Sequence, residues 1–242
     1  MKIQVLPTIP EVAALVAEDI AEFINANPKK LLCFAAGDTT LPVFDALIRL
    51  QKENKVNLSN TYYIGLDEWV GLDRKTTGSC AQVMFDEFYE PANIPQENIC
   101  VWDGLCVDLD AEKRRMEDWI SKHSGIALSF LGIGMNGHVG FNEPYIGLPE
   151  GTLIVPLDET TKKVSGKYFD KIQDIELGIT IGAGELKKAK KIILLATGSG
   201  KAEIIKKTVT GEPDESVPAS LLIDHHDITL YLDKAAATLI NV

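Results

Sequence analysis

The chain has no apolar run approaching the ~18 residues that a membrane-spanning helix needs. Its first twenty residues, MKIQVLPTIPEVAALVAEDI, are interrupted by Pro7, Pro10, Glu11, Glu18 and Asp19, so no secretory signal is expected there. Basic residues are scarce. Lys and Arg number 24 against 35 Asp and Glu, a formal charge of −11 over 242 residues. That deficit argues against nucleic acid as a partner, because a phosphate backbone needs a basic footprint. It argues equally against a polybasic membrane patch. Cysteine is limited to Cys33, Cys80, Cys100 and Cys106, none in a C-x-x-C pair, which excludes a thioredoxin motif or a zinc ribbon. Free thiols in a reducing cytoplasm are the expectation. Low-complexity stretches, long linkers and internal repeats are absent as well. What remains is 45% apolar and 24% charged, an ordinary globular composition at a length one α/β domain commonly reaches.

Within that composition one unit recurs. Val12, Val16, Ile20 and Phe23 repeat at helical spacing, which predicts a helix over residues 10–25 that stops at Pro28. LLCFAA (31–36) is a short, wholly apolar run, as a strand buried on both faces requires. Gly37-Asp38-Thr39-Thr40 follows, and then Leu41-Pro42 opens a helical pattern through Val43, Leu47 and Leu50, with Thr39 or Thr40 as its N-cap. TYYIGL (61–66), IALSFLGIG (126–134), KIILLAT (191–197) and ITLYLD (228–233) read as further strands, and residues 80–89, 109–122 and 200–209 as further helices. Strands alternating with helices imply a parallel sheet covered on both faces. The expected architecture is therefore α/β, a single-domain, Rossmann-like three-layer α/β/α sandwich with a mostly parallel sheet over residues 1–242.

Ligands bind outside the carboxyl ends of such strands. Four polar clusters fall there: Asp38 to Thr40, Asp67-Glu68, Asn136 to His138, and Ser199 to Lys201. Gly132-Ile-Gly134-Met-Asn-Gly137 is a literal G-x-G-x-x-G, with Asp158 at 21 residues beyond Gly137 as a ribose-binding acid. The fingerprint also needs a helix directly after it. HVGFNEPYIGLPEG supplies Gly140, Pro144, Gly147, Pro149 and Gly151 instead, so a dinucleotide is not expected. Gly200-Lys201 lacks the Walker pattern, since Leu195 and Ala202 stand where Gly and Ser/Thr belong. It leaves two readings, a capped helix with a solvated lysine or an anion site. Asp224-His225-His226-Asp227 is a poor metal cluster, because adjacent histidines on extended chain point apart. His123, before Gly125, reads as structural, a cation favoured at a helix C-terminus.

NGHVGFNEP (136–144) is different, since it gathers an amide, an imidazole and a carboxylate in one glycine-rich turn after a buried strand. Histidine is the natural proton shuttle near neutral pH, and a carboxylate can fix its tautomer. A turn that merely satisfies its own backbone is the alternative. Asp67 ends another buried strand, a position suited to a general base. Its alternative is an N-cap with Glu68 in solvent.

LDEWVGL (66–72), GIGMNGHVGFNEP (132–144), TGSGKAE (197–203) and VPAS (217–220) resemble the glucosamine-6-phosphate deaminase family over nearly the whole chain. LDEW, GSC (78–80) and GITIG (178–182) are similar to its galactosamine-6-phosphate deaminase/isomerase branch. The resemblance implies aldose–ketose isomerisation with deamination of a hexosamine 6-phosphate, using no metal and no cofactor. It implies Asp67 as the base between C2 and C1, and His138 as the ring-opening group with Asn136 and Glu143 as flanking partners. Gly37, Asp38, Thr39, Thr40, Lys167 and Lys201 would hold the phosphate. The expected partner is thus a small sugar phosphate, with no nucleic acid and no membrane; a homo-oligomer is compatible with this reading. The sequence also departs from the pattern. The first loop is GDTT where the family has GGTP, Lys167 in GKYF stands where an arginine clamp is usual, and YIGLPEGT replaces an S-R-T segment. A 6-phosphogluconolactonase-type hydrolase and a non-enzymatic sugar-phosphate sensor are the competing readings.

Overall fold

Leu31, Leu32, Cys33 and Phe34 are all fully buried, with alternate side chains entering different cores. Such a strand needs cover on both faces, and the computed structural model, which describes residues 1–166, 169 and 175–241, supplies it. In chain order the elements are β1 (Lys2–Leu6), α1 (Ile9–Ala26), β2 (Leu31–Phe34), α2 (Leu41–Lys52), β3 (Tyr62–Gly65), β4 (Asp67–Trp69), α3 (Cys80–Met84), β5 (Ile99–Cys100), α4 (Leu109–Lys122), β6 (Ile126–Gly132), β7 (Thr152–Pro156), α5 (Glu159–Ser165), β8 (Leu177–Ile181), α6 (Ala183–Lys187), β9 (Lys191–Ala196), α7 (Ala202–Thr210) and β10 (Ile228–Asp233).

Seven strands form the main sheet in the order β1-β10-β9-β6-β2-β3-β5, every neighbouring pair parallel. One face is covered by α1, α2 and the helical stretch through Tyr89, around Phe34, Phe44, Phe88 and Phe130. Phe34 meets Tyr63 and Phe130 edge to face at 5.5 Å each, contacts worth about 1 kcal/mol beyond their buried area. The other face is covered by α4, α6 and α7, through Met116, Ile120, Leu186, Ile204 and Ile205. The three-layer expectation holds.

The sequence reading misses a second, antiparallel sheet, β4-β8-β7. Leu66 is the crossing point. Its N–H donates to Phe34 O in the main sheet, and its carbonyl accepts from Ile181 N in the small one. Trp69, Phe141, Val155 and Leu157 form a separate small core on that sheet.

Other expectations change in detail. Residues 80–89 are not one α-helix, because the chain passes into a π turn over Phe85–Tyr89. Thr40 is the α2 N-cap, but its hydroxyl donates back to Gly37 O rather than accepting from the helix. α7 begins after a 3-10 turn over Ser199–Lys201. His123 does occupy the α4 C-cap, yet burial, with Lys122 beside it, lowers its pKa, so the predicted cation is disfavoured. No helix among the described residues is long and apolar enough to cross a membrane.

Candidate active site

Strands β9, β6, β2 and β3 are consecutive in the main sheet, and the chain reverses direction across it between β2 and β6. Loops after those strands therefore meet at a switch point, where an α/β sheet opens a crevice. A cavity of about 440 Å³ lies there, lined by Gly37, Asp38, Thr39, Thr40, Asp67, Gly134, His138 and Lys201, with Thr160, Thr161 and Val164 of α5 as its outer wall. A smaller lobe of about 110 Å³ continues past Asp67 and His138 toward Trp69, Cys80 and Phe141.

Asp67 is placed by the step between sheets. It is the first residue of β4, paired in register with Thr180, and is only partly exposed. Burial, then the neighbouring Glu68 charge, raises its pKa to about 8, against a hydrogen bond from the Cys80 thiol. Glu68 does not reach solvent as the capping alternative supposed. It is fully buried, and its carboxylate accepts from Trp69 N, Cys80 N and Ala81 N at 2.9, 2.9 and 2.8 Å, thereby capping α3. Burial raises its pKa to about 7 against those bonds.

His138 is held from three sides. Its backbone N–H donates to Asn136 Oδ1 (3.1 Å), its ring packs over Gly134, and Nδ1 lies 3.0 Å from Thr161 Oγ1 and 3.4 Å from Glu143 Oε2. Gly137 has φ +86, which a side chain would strain, and this permits the turn that carries the imidazole back. Asn136 Nδ2 donates to Glu143 Oε2 (2.9 Å) and to Asp158 Oδ1 (3.1 Å). Asn136 and Glu143 thus stand behind the histidine rather than on the cavity wall. Burial opposes the Glu143 charge, but bonds from His138, Thr161 and Asn136 outweigh it and lower the pKa. Asn142, fully buried, donates to Val139 O and Ile181 O and accepts from Ala183 N, tying the turn to β8 and α6.

Lys201 projects from the turn after β9 and donates through Nζ to Ile133 O at 2.6 Å. The structure brings Gly37, Asp38, Thr39, Thr40, Asp67, His138 and Lys201 to one cavity. Lys167, the remaining residue proposed for the phosphate, lies outside the described residues.

Sequence reasoning misses three contributors, Glu68, Asp158 and Thr161. The glycine fingerprint suggests Asp158 only as a ribose acid, whereas it caps α5 by accepting from Thr160 N (2.8 Å) and holds Asn136. His225 is no metal ligand in this arrangement. Its Nε2 pairs with Ala189 O, and among the described residues no cluster of three metal-ligating side chains occurs.

The geometry has counterparts among known proteins. The chain is 39% identical over 241 residues to a glucosamine-6-phosphate deaminase of Thermoanaerobacter sp. (strain X514), covering 99% of this chain and 95% of that one. It is 36% identical to a glucosamine-6-phosphate deaminase of Clostridium perfringens (strain 13 / Type A), covering both chains completely. A solved monomeric glucosamine-6-phosphate deaminase superposes with a TM-score of 0.95 at 32% identity, covering 99% of this chain and 100% of its own. A 6-phosphogluconolactonase from Thermotoga maritima superposes with a TM-score of 0.78 at 18% identity, a likeness of fold alone. The family model described as glucosamine-6-phosphate isomerases/6-phosphogluconolactonase matches residues 7–231, which take in β2 to β9, most of β10 and every loop of the cavity, and the chain belongs to that family.

Proposed function

We propose that this protein is an enzyme that converts a hexosamine 6-phosphate, with glucosamine 6-phosphate as the first candidate, into a ketohexose 6-phosphate and ammonia. The observation that carries the reading is the pairing of Asp67 and His138 on one cavity wall that also carries the Lys201 ammonium. A sensor would need the cation and hydroxyls but not a carboxylate poised near neutral pH beside an imidazole.

The chemistry follows from those positions. His138 takes the proton from the C1 hydroxyl and returns one to the ring oxygen as the C1–O5 bond breaks, giving the open-chain aldehyde. Asp67 removes the proton at C2 to form an enolamine, and the same carboxyl delivers a proton to C1. The resulting C2 imine adds water and expels ammonia, leaving the ketose. Asp67 acts as base and then acid, which its raised pKa suits. Lys201, with Thr39 and Thr40, would hold the phosphate, so that remote binding energy orients C1 and C2.

The test is ammonia release from glucosamine 6-phosphate and galactosamine 6-phosphate side by side, with 6-phosphogluconolactone hydrolysis as the control. Ammonia from either amino sugar supports the reading and identifies the preferred C4 epimer. Lactone hydrolysis without ammonia release would overturn it.

A further inference from the structure

The catalytic cavity has two unlike ends. Its larger lobe is lined by Thr39, Thr40 and Lys201, hydroxyls and a cation suited to a phosphate. Asp67, His138 and Thr161 line both lobes and so form the neck between them. Beyond the neck the smaller lobe is walled by Trp69, Gly78, Cys80, Val83, Phe141 and Val164, a largely apolar set. Trp69 and Phe141 pack together with ring centroids 4.6 Å apart and planes tilted by 56°, each almost buried.

That wall is built into the fold. The buried Glu68 carboxylate accepts from Trp69 N on β4 and from Cys80 N and Ala81 N at the start of α3. One side chain therefore registers the strand that carries Trp69 against the helix that carries Cys80 and Val83.

A hexosamine 6-phosphate with its phosphate at Lys201 and its C1–C2 bond at the neck has two groups left to meet the smaller lobe, O1 and the C2 nitrogen. O1 must stay with His138 for ring opening, so the nitrogen faces the lobe. A bare amine fits that space poorly. As an ammonium it would lose hydration against apolar walls without a compensating partner there. It also leaves most of the volume unfilled: the lobe measures about 110 Å³, where roughly 10–15 Å³ admits one water, and water needs two to four polar partners to settle. We propose that the smaller lobe is an acyl subsite, receiving a short acyl chain on the C2 nitrogen, so that N-acylated hexosamine 6-phosphates bind in the catalytic cavity and compete with the amino sugar. An acetyl group sets its methyl against Trp69, Val83 and Phe141 and keeps its amide at the neck beside Thr161. Such a ligand releases no ammonia, because its nitrogen shares its lone pair with the acyl carbonyl and stays acylated. The acylated sugar therefore slows deamination while it is abundant.

The orientation used here rests on the proposed reaction, but the subsite is measured without turnover. Calorimetric titration compares glucose 6-phosphate with the 2-acetamido, 2-propionamido and 2-benzamido derivatives of glucosamine 6-phosphate. The acetamido sugar should bind about 4-fold more tightly than glucose 6-phosphate or better, the worth of one buried methyl. The benzamido sugar should bind more weakly than the acetamido one, its ring exceeding the lobe. Val83→Phe, which fills the lobe, should cut the ratio of acetamido to glucose 6-phosphate affinity by on the order of 10-fold, as overpacking does. Val83→Met replaces it if the phenylalanine variant fails to fold. In ammonia-release assays the acetamido sugar should inhibit competitively. Equal affinity for glucose 6-phosphate and the acetamido sugar in the wild type would overturn the inference. So would a ratio that Val83→Phe leaves unchanged, because the acyl group would then sit elsewhere. If amino sugars yield ammonia but no acyl preference appears, the reaction stands and the subsite falls. If no amino sugar yields ammonia yet the preference is present and is lost in Val83→Phe, the subsite stands and the proposed reaction falls.

Discussion

A β-carbon on Gly134 would stand 2.3 Å from Nε2 of His138, a separation no real side chain tolerates. Gly134 has no positive φ, so its backbone would accept alanine; the imidazole would have to move. Gly134→Ala should therefore fold with a thermal midpoint near that of the wild type while losing on the order of 10²-fold in turnover, the scale of a ~1 Å misplacement of a catalytic group. Unchanged kcat in the alanine variant would show that the ring position is not critical.

Asp67→Asn should leave the fold intact and lower turnover by at least ~10²-fold, the low end for a general base. Burial and the Glu68 charge hold the Asp67 pKa at about 8, so kcat/KM of the wild type should climb with pH toward that value as the base ionises. The stability effect has the opposite sign. The folded state keeps a proton that the unfolded chain releases near pH 4, so this contribution is complete below about pH 4 and is lost as pH rises to about 8. Thermal midpoints of Asp67→Asn and wild type should coincide near pH 4 and diverge toward pH 8, with the variant the more stable. Parallel midpoints across that range would remove the shifted carboxyl from the account.

Glu68→Gln tests what holds that carboxyl in place. Both carboxylate oxygens receive backbone N–H groups, so a glutamine NH2 must face a donor. At least one buried N–H then loses its partner, at about 1–3 kcal/mol. The variant should melt lower, and the rising limb of kcat/KM should move to lower pH as the like charge beside Asp67 disappears. An unchanged midpoint would mean that the Glu68 cap adds nothing to stability.

The five inner strands of the main sheet were legible because strands buried on both faces are written as near-continuous apolar runs: ITLYLD is β10 from end to end, whereas the edge strands β1 and β5 were not read. The small sheet was not. β4 is only three residues, two of them acidic, and β7 is hemmed in by Pro149 and Gly151, so both read as loop chemistry. Its pairing depends on β8, far along the chain, which no local pattern announces. The site divides the same way. Asp67, His138 and Lys201 stand at strand ends and were readable from position, whereas Thr161 lies 23 residues from His138 on an amphipathic turn like many others. Glu68 was misread because a charged residue is expected outside unless a partner is visible, and its partners are backbone N–H groups across a turn.

Lys201 carries the last prediction. Its ammonium, on the turn after β9, is tied to Ile133 O, the carbonyl just before Gly134, so it braces the loop leading to His138 while lining the same cavity as Asp38 to Thr40. The protein as a whole carries −11, so a dianionic substrate must be captured by local cations against the overall field. Lys201→Ala should raise KM by about 10-fold or more, the worth of ~1.5–3 kcal/mol for a charged hydrogen bond. Its effect on turnover should be smaller, arising from lost orientation of the sugar. Added salt should weaken substrate binding in the wild type more than in the variant, because screening acts on the charge that the variant lacks. Titration with inorganic phosphate separates this role from a structural one. Loss of phosphate affinity with an unchanged melting midpoint places the anion at Lys201, whereas equal affinity in wild type and variant would put the phosphate elsewhere in the cleft and reverse the orientation of the sugar between Asp67 and His138.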